Sequence, residues 1–167
     1  MLFMMESGDM NKEKKICYLI CGFLGAGKTT YSKKLAQEKM AIHLNADEWC
    51  MKLFSKDEYE TNWENCFLKT MEYLWDKASE FSKQGLSVVF DIEFWDKKSR
   101  IEAIDKAREL GFLPIIHYVY APDDILKERI SLRKGLIAEN NLKHFDDLKK
   151  LFEEPDDTED YIRIDNY

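Results

Sequence analysis

The sequence lacks several features that would assign it to a special class of protein. It has no apolar run that approaches membrane-spanning length, no internal repeat and no low-complexity segment. Its four cysteines show no C-x-x-C spacing, so we expect reduced thiols in a cytoplasmic protein rather than a metal site or a disulfide framework. These cysteines are Cys17, Cys21, Cys50 and Cys66.

The amino-terminal stretch does not have the composition of a signal peptide. The opening run Met1–Met5 is too short for the apolar region of a signal and is followed by Glu6 and Asp9. We therefore expect residues 1–13 to form a mobile tail, or to lie upstream of the natural start.

Basic residues are outnumbered by acidic ones. Lys and Arg total 25 against 32 Asp and Glu, which gives a formal net charge of −7. An acidic surface disfavours non-specific binding to nucleic acid, although a local basic cleft could still exist. With 45% hydrophobic and 34% charged residues in 167, the composition is that of an ordinary globular protein. We predict one domain over residues 14–167.

The most informative stretch runs from Gly22 to Thr29 and has the pattern G-x-x-x-x-G-K-T. An apolar run over residues 16–21 precedes it and a helix-forming stretch over residues 31–39 follows, which is the context of a P-loop. Glycines let successive backbone N–H groups point at anionic oxygens, and the helix N-terminus adds partial positive charge. The pattern predicts a phosphate-binding loop; the alternative is a glycine-rich turn that binds nothing.

This loop predicts ATP and Mg²⁺ as ligands. Lys28 can reach the β- and γ-phosphates, and the Thr29 hydroxyl can bind Mg²⁺. The predicted nucleotide contacts are consecutive residues of the loop and the first helical turn: Gly22, Phe23, Leu24, Gly25, Ala26, Gly27, Lys28, Thr29 and Thr30.

Apolar runs alternate with helix-forming stretches along the rest of the chain. We predict strands over residues 15–21, 41–45, 86–90, 112–120 and 161–165. We predict helices over residues 28–40, 48–54, 61–84, 96–110, 123–134 and 145–152, with a polar connection over residues 135–144. The alternation predicts an α/β fold with a mainly parallel sheet and right-handed crossovers.

Two features of this pattern favour packing roles over function. An apolar stripe in the long helix recurs at steps of three and four and is expected to face the core. It comprises Trp63, Phe67, Met71, Leu74, Ala78 and Phe81. His117, in the middle of the fourth strand, is expected to be a buried, hydrogen-bonded histidine.

Two carboxylates follow predicted strands, at the edge where an α/β sheet binds ligands. Asp47 could be a functional acid or the N-cap of the next helix, and both interpretations stay open. Asp91 ends an apolar strand, as in the Walker B pattern, and is expected near the Mg²⁺ bound to Thr29. Just beyond it, Glu93 and Trp95 could shape an acceptor pocket, although Trp95 could equally be a hydrophobic plug.

Arg129 and Arg133 lie four residues apart on one predicted helix face. They could close over a triphosphate and neutralise its charge, or they could form a solvated basic face.

Three segments together resemble the "AAA family ATPase" group of small P-loop kinases. They are Cys21–Thr30, His43–Trp49 and Phe90–Trp95. The wider group includes chloramphenicol phosphotransferase, zeta toxins, gluconate kinase and polynucleotide kinase domains. The resemblance implies a three-layer, nucleoside-kinase-like fold with a five-stranded parallel sheet in the order 2-3-1-4-5 and helices on both faces.

The resemblance also implies roles for individual residues. Asp47 matches the aspartate that activates the acceptor hydroxyl, and Arg129 and Arg133 match arginines of a lid. Where many relatives have an arginine two positions after the tryptophan, this chain has Lys97, and it keeps Arg100.

The expected function is an ATP-dependent phosphotransferase that moves the γ-phosphate to a hydroxyl of a small molecule. Lys28, Asp47, Arg129 and Arg133 are its expected catalytic residues. The alternatives are a polynucleotide 5′-hydroxyl kinase, a toxin-like sugar-nucleotide kinase and a non-catalytic nucleotide switch. A GTPase is disfavoured, because no glycine stands three residues after Asp91 and no N-K-x-D motif occurs.

Overall fold

The computed structural model describes residues 14–167, and the tail expected at residues 1–13 lies outside this range. Five strands are formed: β1 (Ile16–Cys21), β2 (Ile42–Asn45), β3 (Val88–Asp91), β4 (Leu113–Tyr120) and β5 (Tyr161–Asp165). The helices between them are α1 (Lys28–Glu38), α2 (Ala46–Leu53), α3 (Lys56–Lys83), α4 (Lys97–Glu109), α5 (Asp123–Ser131), α6 (Leu136–Lys143) and α7 (Phe145–Leu151).

The strands form one parallel sheet in the order β2-β3-β1-β4-β5, which confirms the predicted order. All four residues of β3 and five of the six in β1 are buried, because helices cover both faces of the central strands. The carboxyl ends of β1, β2 and β3 meet at one edge, since Ile20 pairs with Asp91 and Asn45 pairs with Asp91. This edge carries the candidate site.

Several sequence predictions about packing are confirmed. His117 is buried, and its Nδ1 lies 2.6 Å from the Tyr31 hydroxyl. Burial lowers the pKa of His117, so this histidine is neutral near pH 7. All four cysteines are buried free thiols. Although α3 spans 28 residues, it is charged along its length, and residues 14–167 contain no helix suited to crossing a membrane.

The long helix differs from its prediction at its amino-terminal end. It begins at Lys56 rather than at residue 61, because Ser55 and Glu58 form a reciprocal capping box. Asn62 has non-helical angles (φ −151°, ψ 50°), so the predicted start marks a kink within the helix. Trp63 is 60% exposed, and its assignment to the core stripe is wrong, because residues 55–65 extend beyond the core.

The polar connection predicted over residues 135–144 is also wrong. Residues Leu136–Lys143 form α6, which follows Gly135 at a φ of 107°. Leucine, alanine, glutamate and lysine in this segment favour a helix, and that preference outweighs its polar composition.

Candidate active site

The loop between β1 and α1 has the backbone form that its glycines predict. Gly25 and Gly27 have φ angles of 82° and 91°, which other residues rarely adopt. A Cβ atom at Gly22 would lie 2.5 Å from the Val119 carbonyl oxygen, so this position needs glycine for close approach. The backbone N–H of Ala26 donates to the Phe23 carbonyl at 3.2 Å and closes the turn.

Lys28 stands at the start of α1 with its ammonium group over this loop. Its Nζ donates to the Phe23 carbonyl at 3.2 Å, and among the residues described it makes no salt bridge. Burial lowers the pKa of Lys28, while the nearby charges of Glu93 and Asp91 oppose that effect. A cation held this way can bind phosphate without first breaking an ion pair.

The other side of the loop is held by residues that are distant in sequence. Asn166, just after β5, donates from Nδ2 to the Ala26 carbonyl at 2.7 Å. Arg129 approaches the carbonyls of Gly25 and Ala26 at 3.4 Å each. Sequence analysis missed Asn166, because a lone asparagine 140 positions from its partner gives no local signal.

The two predicted lid arginines therefore lie in different places. Arg129 contacts the backbone of the phosphate loop, whereas Arg133 lines the cavity beside it. The prediction that they share one helix face is wrong, because α5 ends at Ser131 and Arg133 lies beyond its C-cap, Leu132. Only Arg133 presents a side chain to the cavity itself.

Asp47 is not the N-cap of α2. Asn45 is the cap, since its side chain accepts from the backbone N–H of Glu48 at 2.7 Å and the helix begins at Ala46. The interpretation of Asp47 as a capping residue is therefore wrong, and its carboxylate is free to face the cavity. Desolvation raises the pKa of Asp47, as do the charges of Glu93 and Asp91, although Lys28 opposes them.

Asp91 is buried at the end of β3 and is held by neighbouring side chains. The Asn45 Nδ2 donates to its Oδ2 at 2.6 Å, and His43 Nε2 lies 3.4 Å from the same oxygen. Burial would raise the pKa of Asp91, but the polar side chains of His43, Asn45 and Thr29 beside it outweigh that effect and hold the pKa below its usual value. Asp91 is consequently ionised at neutral pH.

The pairing of the Asp91 carboxylate with the Thr29 hydroxyl fits a bound Mg²⁺. Both carry oxygen ligands, which hard divalent cations prefer, and both line the cavity beside the phosphate loop. Within residues 14–167 there is no cluster of three or more His, Cys, Asp or Glu side chains that could hold a metal alone. Mg²⁺ here would need phosphate oxygens and water to complete its ligands.

A cavity of about 180 Å³ lies between these groups. Except for Arg129, it brings together the predicted site residues that carry a charge or a hydroxyl, and Glu93 and Phe67 also line it. Those predicted residues are Lys28, Thr29, Thr30, Asp47, Asp91 and Arg133. Leu24, Gly25 and Gly27 also line the cavity. Phe23 and Ala26 are instead buried in the core, and Gly22 packs against the Val119 carbonyl.

Trp95 has the character of a hydrophobic plug. Its ring packs against Phe23 and Phe152 with centroids 5.6 and 6.0 Å apart, and it does not line the cavity. Its Nε1 donates to Glu93 Oε2 at 2.8 Å. This bond orients the Glu93 carboxylate, which lines the cavity.

Two cations in the first turn of α4, Lys97 and Arg100, have structural partners. Arg100 is 1% exposed and donates from Nε and Nη2 to the two carboxylate oxygens of Glu159, both at 2.7 Å. Lys97 Nζ lies 3.0 Å from Asp156 Oδ2. Both side chains hold the segment before β5 against α4, so neither faces the cavity.

Comparison with known proteins gives one family and a set of structural likenesses. A family model described as "AAA domain" matches residues 18–155. No curated protein matches the sequence.

The fold is similar to those of several solved kinases. A sugar kinase from Janibacter sp. HTCC2649 is 20% identical with a TM-score of 0.65, covering 90% of this chain and 85% of that one. A gluconokinase from Sinorhizobium meliloti 1021 is 11% identical with a TM-score of 0.65, covering 90% and 82%. Shikimate kinase from Aquifex aeolicus vf5 is 18% identical with a TM-score of 0.58, covering 90% and 86%. At these identities the likeness shows the P-loop kinase fold.

Proposed function

The chain belongs to the AAA domain family, whose model spans residues 18–155, and from this premise we propose that it is an ATP-dependent phosphotransferase. Its reaction moves the γ-phosphate of ATP to a hydroxyl group of a small molecule. The similarity to sugar, gluconate and shikimate kinases supports this reaction class.

One observation carries the proposal. A carboxylate that neither caps its helix nor forms a salt bridge within the described residues shares a cavity with the phosphate loop. That carboxylate is Asp47, and the cavity also contains Lys28, Thr29 and Asp91. A protein that only bound nucleotide would have no use for a free acid at this point, whereas phosphoryl transfer needs a group that orients the nucleophile.

Each cavity residue has a role in this reaction. The loop N–H groups and Lys28 hold the β- and γ-phosphates, and Arg133 neutralises charge on the transferring group. Thr29 and Asp91 would hold Mg²⁺, which when bound supplies charge neutralisation between the phosphates. Arg129 and Asn166 keep the loop carbonyls turned away from the phosphates, because they donate hydrogen bonds to them.

Asp47 receives the proton of the acceptor. The acceptor oxygen forms the new P–O bond, the bond between the γ-phosphorus and its bridging oxygen breaks, and ADP leaves with that electron pair. The hydroxyl proton passes to the Asp47 carboxylate. The raised pKa of Asp47 makes it a better base than an ordinary aspartate.

A thermal-shift experiment with ATP·Mg²⁺ tests nucleotide binding. At about 100 times the dissociation constant, binding adds about 2.7 kcal/mol, which corresponds to a melting temperature rise of roughly 5–10 °C for a protein of this size. Lys28→Met should lose this rise, and Lys39→Met, at the exposed end of α1, should keep it. Absence of any rise in the wild-type protein contradicts the proposal at its first step.

Release of ADP in the presence of added alcohols tests transfer. Acceptor-dependent ADP formation that Asp47→Asn abolishes is the expected result. A protein that binds ATP but forms ADP only slowly, whatever alcohol is added, would instead be a nucleotide switch. Transfer to oligonucleotides with a free 5′-hydroxyl alone would identify a polynucleotide kinase.

A further inference from the structure

A second, larger space between α3 and α4 lies beside the cavity at the phosphate loop. This space encloses about 360 Å³, and it shares Phe67, Ile92 and Glu93 with the phosphate-loop cavity. We call it the α3–α4 groove. Its apolar lining residues are Phe67, Met71, Trp75, Ile92, Phe94 and Ala103.

The groove differs in chemical character from the cavity beside it. The cavity is lined by hydroxyl, carboxylate and ammonium groups, whereas the groove is walled mainly by aliphatic, aromatic and thioether side chains. Trp75 is fixed there by its stacking on Phe90, with ring centroids 4.3 Å apart. A molecule whose hydroxyl lies at Asp47 could therefore extend past Phe67 and Ile92 into apolar surroundings.

The charges around both spaces disfavour an anionic occupant. In the described part of the chain, the cations that line them are Lys28 and Arg133 at the phosphate loop and Lys106 of α4. Lys106 lies 3.8 Å from Glu109. Glu93 lines both spaces, and Asp47 lines the phosphate-loop cavity.

The two cations of the β3–α4 region that could have served an anionic acceptor are already engaged. Arg100 is buried against Glu159, and Lys97 pairs with Asp156. With Lys28 and Arg133 facing the phosphates of bound ATP and Lys106 beside Glu109, a carboxylate on the acceptor would meet Glu93 and Asp47 with no further cation lining either space among the described residues, which is unfavourable in a partly desolvated site.

We propose that the acceptor is an alcohol with an apolar body and no anionic group, its body lying in the α3–α4 groove and its hydroxyl at Asp47. This deepens the proposed phosphotransferase function and rests on it. The groove supplies affinity through burial of apolar surface, and the cavity supplies the transfer chemistry.

A series of alcohols tests the proposal on the wild-type protein. Phenylmethanol, phenylethanol, phenylpropanol and phenylbutanol each add one methylene, and each buried methylene should lower the dissociation constant about fourfold. Ligand-observed NMR measures these constants with and without a non-hydrolysable ATP analogue and Mg²⁺. Gluconate and shikimate serve as carboxylated alcohols and should show no saturable binding.

Two variants on one helix locate the binding. Met71→Gln keeps the length of the side chain but puts an amide in the groove, and should weaken phenylbutanol binding about tenfold or more. Leu68→Gln changes a neighbouring side chain that is 57% exposed and lines neither space, and should leave binding unchanged. If Met71→Gln melts too early to be tested, the wild-type series still decides the proposal.

The outcomes separate this inference from the function on which it rests. Binding that does not change along the series, preference for the carboxylated alcohols, no alcohol binding, or equal effects of the two variants would overturn the inference. None of these outcomes depends on nucleotide, so each can be measured even if the protein neither binds ATP nor turns it over. Failure to bind or turn over ATP would refute the phosphotransferase proposal alone.

Discussion

Replacing Asp47 by asparagine separates its chemical role from any structural one. Asparagine has the same shape but cannot take a proton, and the helix cap is unaffected because Asn45 provides it. The change leaves Lys28, Thr29 and Asp91 in place. Nucleotide binding should therefore persist while phosphoryl transfer is lost.

The expected size of the effect follows from the role of a general base. Such groups contribute about 10²–10⁴ in rate, which is about 3–5 kcal/mol in activation free energy. The raised pKa of Asp47 also predicts how the rate of phosphoryl transfer depends on pH on the acid side. Activity of the wild-type protein should fall as pH decreases through that raised pKa, because the protonated acid cannot accept the acceptor proton.

The same substitution should not destabilise the protein at neutral pH. A carboxyl group whose folded-state pKa is raised stabilises the fold fully below its unfolded pKa of about 3.9, and this contribution is lost as pH rises through the folded value. Ionised Asp47 is therefore unfavourable at pH about 7, where it lies near Glu93 and Asp91. Asp47→Asn should melt at an equal or higher temperature there, and any gain should vanish at acid pH.

Three measurements check this reasoning: ADP release with the best alcohol of the series, the thermal shift caused by ATP·Mg²⁺, and the melting temperature against pH. Asp76→Asn, on an exposed position of α3, is the control and should change none of them. Full activity in Asp47→Asn refutes the role of Asp47 as base. A lower melting temperature at neutral pH, together with lost ATP binding, would instead indicate a structural role.

Further predictions concern the metal, the loop and the buried ion pair. Asp91→Asn should remove the part of the ATP thermal shift that depends on Mg²⁺ and leave the part measured in EDTA, because Asp91 is ionised and adjacent to Thr29. A thermal shift in the variant that still depends on Mg²⁺ would argue against this metal site. Gly85→Ala should lower the free energy of unfolding in urea by about 1–2 kcal/mol, the cost of left-handed backbone strain, because nothing lies within 4 Å of a Cβ there. Gly27→Ala should lower it by more, because a Cβ at Gly27 also meets the Asn166 side chain. Equal losses would contradict this close contact. Glu159→Gln should lower the free energy of unfolding by roughly 3–5 kcal/mol, because it leaves Arg100 buried without its charge partner; a change below about 1 kcal/mol, as for an exposed pair, would contradict this.

Some of the site could be read from the sequence because its parts are adjacent in the chain. The loop from Gly22 to Thr29 follows one strand and opens one helix, so its shape depends on local residue types. Asp91 could be placed near Thr29 because the carboxyl ends of parallel strands meet at one edge. The strand order came from the family resemblance and is confirmed.

Other parts could not be read because they depend on contacts between distant segments. The cap of α2 falls on Asn45, whose side chain also reaches Asp91 46 residues away. Trp63 fits the apolar stripe of α3, yet it lies where the helix extends beyond the core. Arg100 follows the loop after β3 in the sequence, but its partner Glu159 lies 59 residues further on.

The sequence by itself determined the phosphate loop, the α/β alternation and the acids at the strand ends, because each is expressed in the spacing of neighbouring residues. Only the tertiary structure decided which side chains face the cavity. It set Arg133 at the cavity and Arg129 on the loop carbonyls, and it placed the α3–α4 groove beside the cavity. A cavity is bounded by residues from several elements, and its shape and charge depend on how those elements pack.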